Sequence, residues 1–193
     1  MNRFYNLLIG YFFVLIISAC SAPFEYKYND EPMQVSCAGA NDKLLNEALY
    51  SFFDDITVYY RTKSNDPSQS GMSTYEAYAN YVYNGALGQA DYESIVSNHT
   101  KNVMSELRKE TQLWDKKPAM SNLNYNSEFV NCLISNIKDK DMALSIQALN
   151  SANSMTPKLM ADRFRLNIKA ALVDPNYGMY IALDTYYQYL FDL

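Results

Sequence analysis

The amino-acid sequence predicts an all-α fold, an irregular helical bundle of about six to seven helices. Two observations indicate this fold: apolar residues recur at spacings of three and four, and residues that favour helix starts precede these stretches. In addition, no stretch of five residues alternates apolar and polar side chains as a half-buried strand does. No self-similarity at a fixed period points to a helical repeat array.

The first three helices are predicted from their caps and apolar stripes. Asn41 or Asp42 begins a helix whose apolar stripe continues for four turns. Ser73 and Glu76 have the spacing of a capping box and begin the second helix. Asp91 begins a third helix that runs on toward the single tryptophan. Each of these helices places one apolar face toward a common core.

Four further helices complete the predicted bundle. Asn126 caps the fourth helix, and a short fifth helix contains Leu144. Thr156-Pro157 begins the sixth helix, since a capping hydroxyl is followed by proline at the first helical position. Its apolar residues then repeat every four positions up to Leu172. Asp174-Pro175 turns the chain into the last helix.

The amino terminus has the pattern of an export signal. Arg3 supplies a short basic region, and Leu7 to Ile17 form an apolar run that is too short to span a bilayer. The run leads into the tetrapeptide Ile17-Ser18-Ala19-Cys20. A plain secretory signal is the closest alternative to a lipoprotein signal, because both have small residues near the cleavage site. A transmembrane helix is a more distant alternative.

The tetrapeptide resembles the lipobox of bacterial lipoproteins, and the resemblance covers the signal region alone. It implies that the peptide is cut before Cys20 and that diacylglycerol and further acyl chains attach to this cysteine. Several acyl chains anchor a protein stably in a membrane. Ser21 stands where the proteobacterial inner-membrane retention signal has Asp. The resemblance therefore implies a cell-envelope location, and the outer membrane in an organism that has one.

The rest of the chain is predicted to form a lipid-linked domain. Removal of the signal peptide, residues 1–19, leaves 193 − 19 = 174 residues, enough for one domain with a substantial core. Residues 20–40 contain two prolines and no periodicity, and are expected to be a lipidated cysteine followed by a flexible tether. Residues 41–193 are expected to form a single α-helical domain. The net charge of −5 argues against nucleic acid as a partner, and leaves attachment to the membrane to the lipid.

Two cysteines remain besides the expected lipidation site. An even remainder in an exported protein suggests a disulfide between Cys37 and Cys132. The alternative is two separate buried thiols that pack as small apolar side chains.

The sequence contains no pattern that predicts catalysis, a metal or a cofactor. His99 is the single histidine, and no acid or cysteine lies at ligand spacing on the same face of its helix. It is expected to pack against neighbouring elements with one nitrogen hydrogen-bonded. Asp54 and Asp55 are adjacent in a helix, so their carboxylates should point apart. We therefore expect a protein that is not an enzyme.

Tyrosines are unusually dense on the second and the last predicted helices. They occupy more than one face of each helix, so some rings are expected at the surface, where Tyr81, Tyr83, Tyr186 and Tyr189 are candidate ligand-binding residues. The alternative is that each ring is half buried with only its hydroxyl in water. Two functions follow. The first is an envelope lipoprotein whose non-enzymatic helical domain binds or scaffolds an envelope protein. The second is an accessory lipoprotein that captures a glycan or a small apolar ligand.

Overall fold

The computed structural model describes residues 23–63, 73–116, 118, 121–191 and 193. The described residues form an all-α bundle, and the prediction of fold class is confirmed. The β-type pairing among the described residues is an isolated antiparallel bridge between Trp114 and Leu123. The helices are α1 (Asp42–Lys63), α2 (Thr74–Gly85), α3 (Tyr92–Ile95), α4 (Asn98–Leu107), α5 (Glu128–Asn136), α6 (Lys140–Ser151), α7 (Pro157–Leu166), α8 (Ile168–Val173), α9 (Pro175–Ala182), a π turn (Leu183–Tyr187) and α10 (Gln188–Leu190).

The long helix α1 is the centre of the bundle. It packs against α2, α4 and α9, and α9 in turn packs against α5 and α8. The predicted apolar stripe of α1 is buried at Leu45, Leu49, Phe52 and Ile56. Burial of such large side chains along one face supplies most of the stability of a helix of this kind.

The predicted helix starts that depend on side-chain caps are present. Ser73 and Glu76 form the full capping box: the Ser73 hydroxyl accepts from the Glu76 backbone N–H, and the Ser73 N–H donates to the Glu76 carboxylate at 2.7 Å. Thr156 caps α7, and Pro157 follows in its first turn. The fourth predicted helix is capped by Ser127, one residue later than expected. A side-chain cap thus fixed most helix starts locally, within one residue of the prediction.

Two predicted helices are each divided at a hydrogen bond that involves a polar side chain. The third breaks between α3 and α4, where the Ser97 backbone N–H donates to the buried Asp55 carboxylate at 3.0 Å instead of continuing the helix. The Ser97 side chain then caps α4. The sixth breaks at Asn167, whose side-chain amide donates to the Arg163 carbonyl at 2.9 Å. A short polar side chain that bonds to the backbone can interrupt a helix in this way, whether it lies nearby, as Asn167 does, or far along the chain, as Asp55 does.

The expectation of a flexible tether is wrong for residues 23–40, which we call the N-terminal segment. This segment packs along α1, with Val35 and Cys37 buried. The side-chain amide oxygen of Asn46 accepts from the backbone N–H of Gln34 and of Val35 at 2.6 and 3.0 Å. The Asn46 side chain thus supplies hydrogen-bond partners for the backbone of a segment that has no regular secondary structure. These hydrogen bonds hold the segment against the domain.

A disulfide joins Cys37 of the N-terminal segment to Cys132 of α5, with their Cα atoms 6.0 Å apart, and the predicted pairing is confirmed. None of the described helices is both long enough and apolar enough to cross a bilayer. The expected signal peptide and Cys20 lie outside the described residues.

Candidate functional site

An open groove of about 840 Å³ lies between the N-terminal segment and α4, and we call it the α4 groove. Phe24 and Lys27 form part of one wall, and Asn102 and Lys109 form part of the other. His99, from the first turn of α4, also lines it. The single histidine of the chain therefore faces an open groove and also contacts the buried Glu47 side chain.

A buried carboxylate from α1 holds both walls of this groove together. The Glu47 side chain is only 2% exposed, and its Oε1 lies 2.6 Å from Nε2 of His99. The same carboxylate accepts from the backbone N–H of Lys27 at 2.6 Å and of Tyr28 at 3.1 Å. Hydrogen bonds to an ionised acceptor are stronger than neutral ones, and here they offset the cost of burying the carboxylate. Glu47 thus links the N-terminal segment to α4 through hydrogen bonds.

The His99 ring is packed as well as hydrogen-bonded. It stacks on Phe24 with ring centroids 6.0 Å apart, and its edge contacts the Tyr28 ring at the same distance. Its acidic partner lies 52 residues away on another helix, so helical spacing could not have found it. The described residues contain no group of three or more His, Cys, Asp or Glu side chains placed to hold a metal ion. The His99 imidazole therefore joins α4 to α1 and to the N-terminal segment.

Replacement of His99 should reveal this joining role. We expect His99→Ala to lower the free energy of unfolding by about 1–3 kcal/mol, because it removes packing and one hydrogen bond to a buried carboxylate. His99→Gln should cost less, since glutamine retains volume and a donor. Thermal and urea unfolding of both variants against the wild type provide the measurement. Wild-type stability in both variants, together with loss of a bound metal or of an activity, would contradict the prediction.

The predicted exposure is wrong for Tyr81 and Tyr186, which are both completely buried. The Tyr81 hydroxyl donates to the Thr185 backbone carbonyl at 2.6 Å, and the Tyr186 hydroxyl donates to Asp55 at 2.8 Å. Each hydroxyl therefore has an internal partner, which removes the penalty of burying a tyrosine. Burial also raises the pKa of both phenols well above the ordinary value.

The other two candidate tyrosines lie in different surroundings. Tyr189 is half-buried and stacks on Tyr92 at 5.0 Å, and its hydroxyl packs where a side chain at Gly88 would collide with it. Tyr83 is 63% exposed, and the Arg165 guanidinium lies 4.2 Å from its ring centre. The four tyrosines do not form a common exposed surface that could stack on a ligand.

Sequence reasoning missed a buried acid in the π turn. Asp184 is completely buried, and the Tyr125 hydroxyl donates to its Oδ1 at 2.6 Å. Its Oδ2 has no hydrogen-bond partner among the described residues. Burial raises the pKa of the Asp184 carboxyl to about 7, and this effect outweighs the hydrogen bond from Tyr125, which lowers it. A lone aspartate inside the largely apolar and aromatic stretch 179–187 is the sequence signal that could have indicated it.

The surroundings of Asp184 lead to the protein surface. Gln188 donates to the Asp184 backbone carbonyl and accepts from the Ser121 hydroxyl at 2.6 Å. Tyr125 and Ser121 also line an open cavity of about 250 Å³. The side chains of four asparagine residues contribute to this cavity, which we call the amide cavity: Asn124, Asn126, Asn150 and Asn153. A surface cavity with several polar lining residues is therefore linked to the buried acid by the side chains of Tyr125, Ser121 and Gln188.

Comparison of the chain with protein families, curated proteins and solved structures finds no match.

Proposed function

We propose that this chain is a lipid-anchored protein of the bacterial cell envelope, and that its helical domain is a non-enzymatic interaction or scaffolding module. The observation that carries the proposal is the Cys37–Cys132 disulfide. Disulfides persist in oxidising compartments outside the cytosol, which supports export. Of the three cysteines in the chain, the disulfide takes two, and Cys20 is the third. Cys20 follows Ile17-Ser18-Ala19, and this tetrapeptide resembles the lipobox. In this proposal the lipid attached to Cys20 is the membrane anchor.

The surface of α6 to α8 supports the interaction role. Leu144 of α6, Leu159 and Leu166 of α7, and Val173 of α8 are all exposed, Leu166 by 84%. Leu159 and Leu166 are seven residues apart in one helix and so lie on the same side. Exposed aliphatic side chains of this size lose unfavourable contact with water when another protein covers them, and this supports the proposed role. An envelope protein is the partner that the proposed location makes available.

A second function remains, an accessory lipoprotein that captures a glycan. The buried tyrosines remove its original basis, but the amide cavity favours it. Amide and hydroxyl groups form the hydrogen bonds that sugar hydroxyls require, and Leu123 and Met155 supply an apolar part of the lining. The volume is just below the roughly 300 Å³ at which common small-molecule pockets begin, so a single sugar unit is the appropriate size.

Cys20→Ser tests the proposed lipid anchor. We expect accumulation of the uncut precursor and loss of lipid-dependent partition into a detergent phase, because serine lacks the thiol that receives diacylglycerol. Processing and phase partition in a bacterial host, followed by immunoblot, provide the measurement. Ser21→Ala is the matched control, since it changes the neighbouring residue and leaves the thiol in place. Normal cleavage and normal partition of Cys20→Ser would exclude the lipoprotein.

A further inference from the structure

We propose that the α4 groove faces the bilayer in the anchored protein and lies against the lipid headgroups. This orientation rests on the lipid attachment at Cys20 proposed above. In this arrangement the domain is held at the membrane in a fixed orientation, instead of being raised above it on a flexible tether.

The first argument is the attachment of the N-terminal segment to the domain. The Glu47 carboxylate and the Asn46 amide bind its backbone, and the Cys37–Cys132 bond fixes its distal end covalently to α5. Phe24 and Tyr26 pack on the core cluster and contact each other edge to face at 4.8 Å. Pro23, the first residue that the structure describes, lies on the wall of the groove.

The second argument is the short distance from the anchor to this point. Three residue steps separate Cys20 from Pro23, and a fully extended chain spans roughly 10–11 Å over that length. The acyl chains on Cys20 would lie in the hydrocarbon layer, so the cysteine itself would lie at the level of the headgroups. Pro23 and the groove beside it cannot then move far from the membrane surface. The α4 groove is the part of the domain nearest the anchor.

The third argument is the charge of this surface. The whole chain carries a net charge of −5, which would repel anionic headgroups. The groove is lined by two carboxylates, from Glu25 and Glu106, and by two ammonium groups, from Lys27 and Lys109. The charges of these lining residues balance, 2 − 2 = 0, so the groove can approach headgroups that carry both phosphate and ammonium. Tyrosine rings such as that of Tyr26, which also lines the groove, are enriched at the membrane interface.

This orientation leaves the exposed leucines available to a protein partner. α4 packs mainly on α1, whereas α6 packs mainly on α5, and α7 packs mainly on α2. Leu144 and Leu159 therefore belong to helices that line no part of the α4 groove and whose main packing partners differ from that of α4. One side of the domain would contact lipid, and a separate side would contact the envelope partner.

Site-specific photo-crosslinking to lipid tests the orientation. The full chain, matured and anchored in native membranes containing radiolabelled phospholipid, carries p-benzoylphenylalanine either at position 102 in the groove or at position 159 on α7. Asn102 and Leu159 are both exposed in the structure. We expect lipid crosslinking at position 102 to exceed that at position 159 several-fold. A Gly/Ser insert of about twelve residues after Ala22 spans roughly 20 Å and should abolish this difference, because it introduces a free tether.

The outcomes separate this inference from the anchor on which it rests. Equal crosslinking at positions 102 and 159 in protein that is still held in the membrane would overturn the orientation and leave the anchor intact. A difference unchanged by the insert would also overturn it, since the short link would then not set the direction. Recovery of the protein in the aqueous fraction, without lipid crosslinks at either position, would overturn the lipid anchor itself.

Discussion

Removal of the Cys37–Cys132 disulfide is expected to lower the free energy of unfolding by about 4 kcal/mol. The bond encloses 132 − 37 − 1 = 94 residues, and a covalent loop of this length strongly restricts the unfolded chain. The Cys37→Ala/Cys132→Ala double variant should therefore unfold at markedly lower urea concentration. It should also hold the N-terminal segment less firmly, because only its hydrogen bonds and packing would remain.

Urea unfolding of four samples provides the measurement: wild type and double variant, each with and without reductant. Reductant should destabilise the wild type to about the level of the double variant. It should have no effect on the double variant, which serves as the matched control because the loop-closing bond is already absent. Intact mass after alkylation adds an independent test. Alkylation of both cysteines in the native, unreduced protein would contradict the disulfide.

Helix starts could be predicted because their causes are local. The capping box of Ser73 and Glu76 and the cap at Thr156-Pro157 involve residues within four positions of each other, so the sequence displays the whole interaction. The apolar stripe of α1 is similarly a periodic property of one segment. The break before α4 is different, because Ser97 bonds to Asp55, 42 residues earlier. No local pattern contains that contact.

The candidate site was less predictable, since it is assembled from distant residues. The tyrosine hydroxyls illustrate this: Tyr81 reaches the Thr185 carbonyl 104 residues away, and Tyr186 reaches Asp55 across 131 residues. Tyrosine density alone therefore predicted exposed rings. Hydrogen bonds to these distant partners allow the rings to be buried in the core instead. The N-terminal segment looked like a tether for a similar reason. Its backbone bonds to a side chain of α1, Glu47, that lies about twenty positions later.

Asp184→Asn is expected to stabilise the protein at pH 8 by about 2–4 kcal/mol and to remove a stability loss that the wild type shows as the pH rises. The folded state raises the pKa of this carboxyl from 3.8 to about 7, because burial disfavours the charge. Below about pH 4 the carboxyl is protonated in both states and has no effect. Between about pH 4 and 7 the unfolded chain releases this proton and the folded protein keeps it. Since the folded state then binds more protons, its stability falls with rising pH, by at most about 4 kcal/mol in total for three pH units.

The structure explains why an amide should fit. The side-chain amide oxygen that this substitution introduces could accept from Tyr125 as Oδ1 of Asp184 does. The titratable groups whose pKa values respond to the Asp184 charge are tyrosines: Tyr92, Tyr125, Tyr180 and Tyr189. These neighbours are neutral around pH 7, so they do not compensate the carboxylate with a positive charge. The buried charge above pH 7 therefore carries an uncompensated cost that the amide avoids.

Urea unfolding at pH 4.5, 6 and 8 tests this expectation in the wild type, Asp184→Asn and two further variants. Tyr125→Phe should extend the loss of stability to higher pH, because it removes the hydrogen bond that lowers the folded-state pKa of Asp184. Asp162→Asn is the matched control: its side chain is 91% exposed, so the same substitution leaves the buried carboxyl of Asp184 in place, and the loss of stability assigned to Asp184 should remain. The same pH dependence in Asp184→Asn as in the wild type would show that Asp184 does not titrate between the folded and unfolded states in this range. Such a result would mean that water or a neighbouring group stabilises the Asp184 carboxylate inside the π turn.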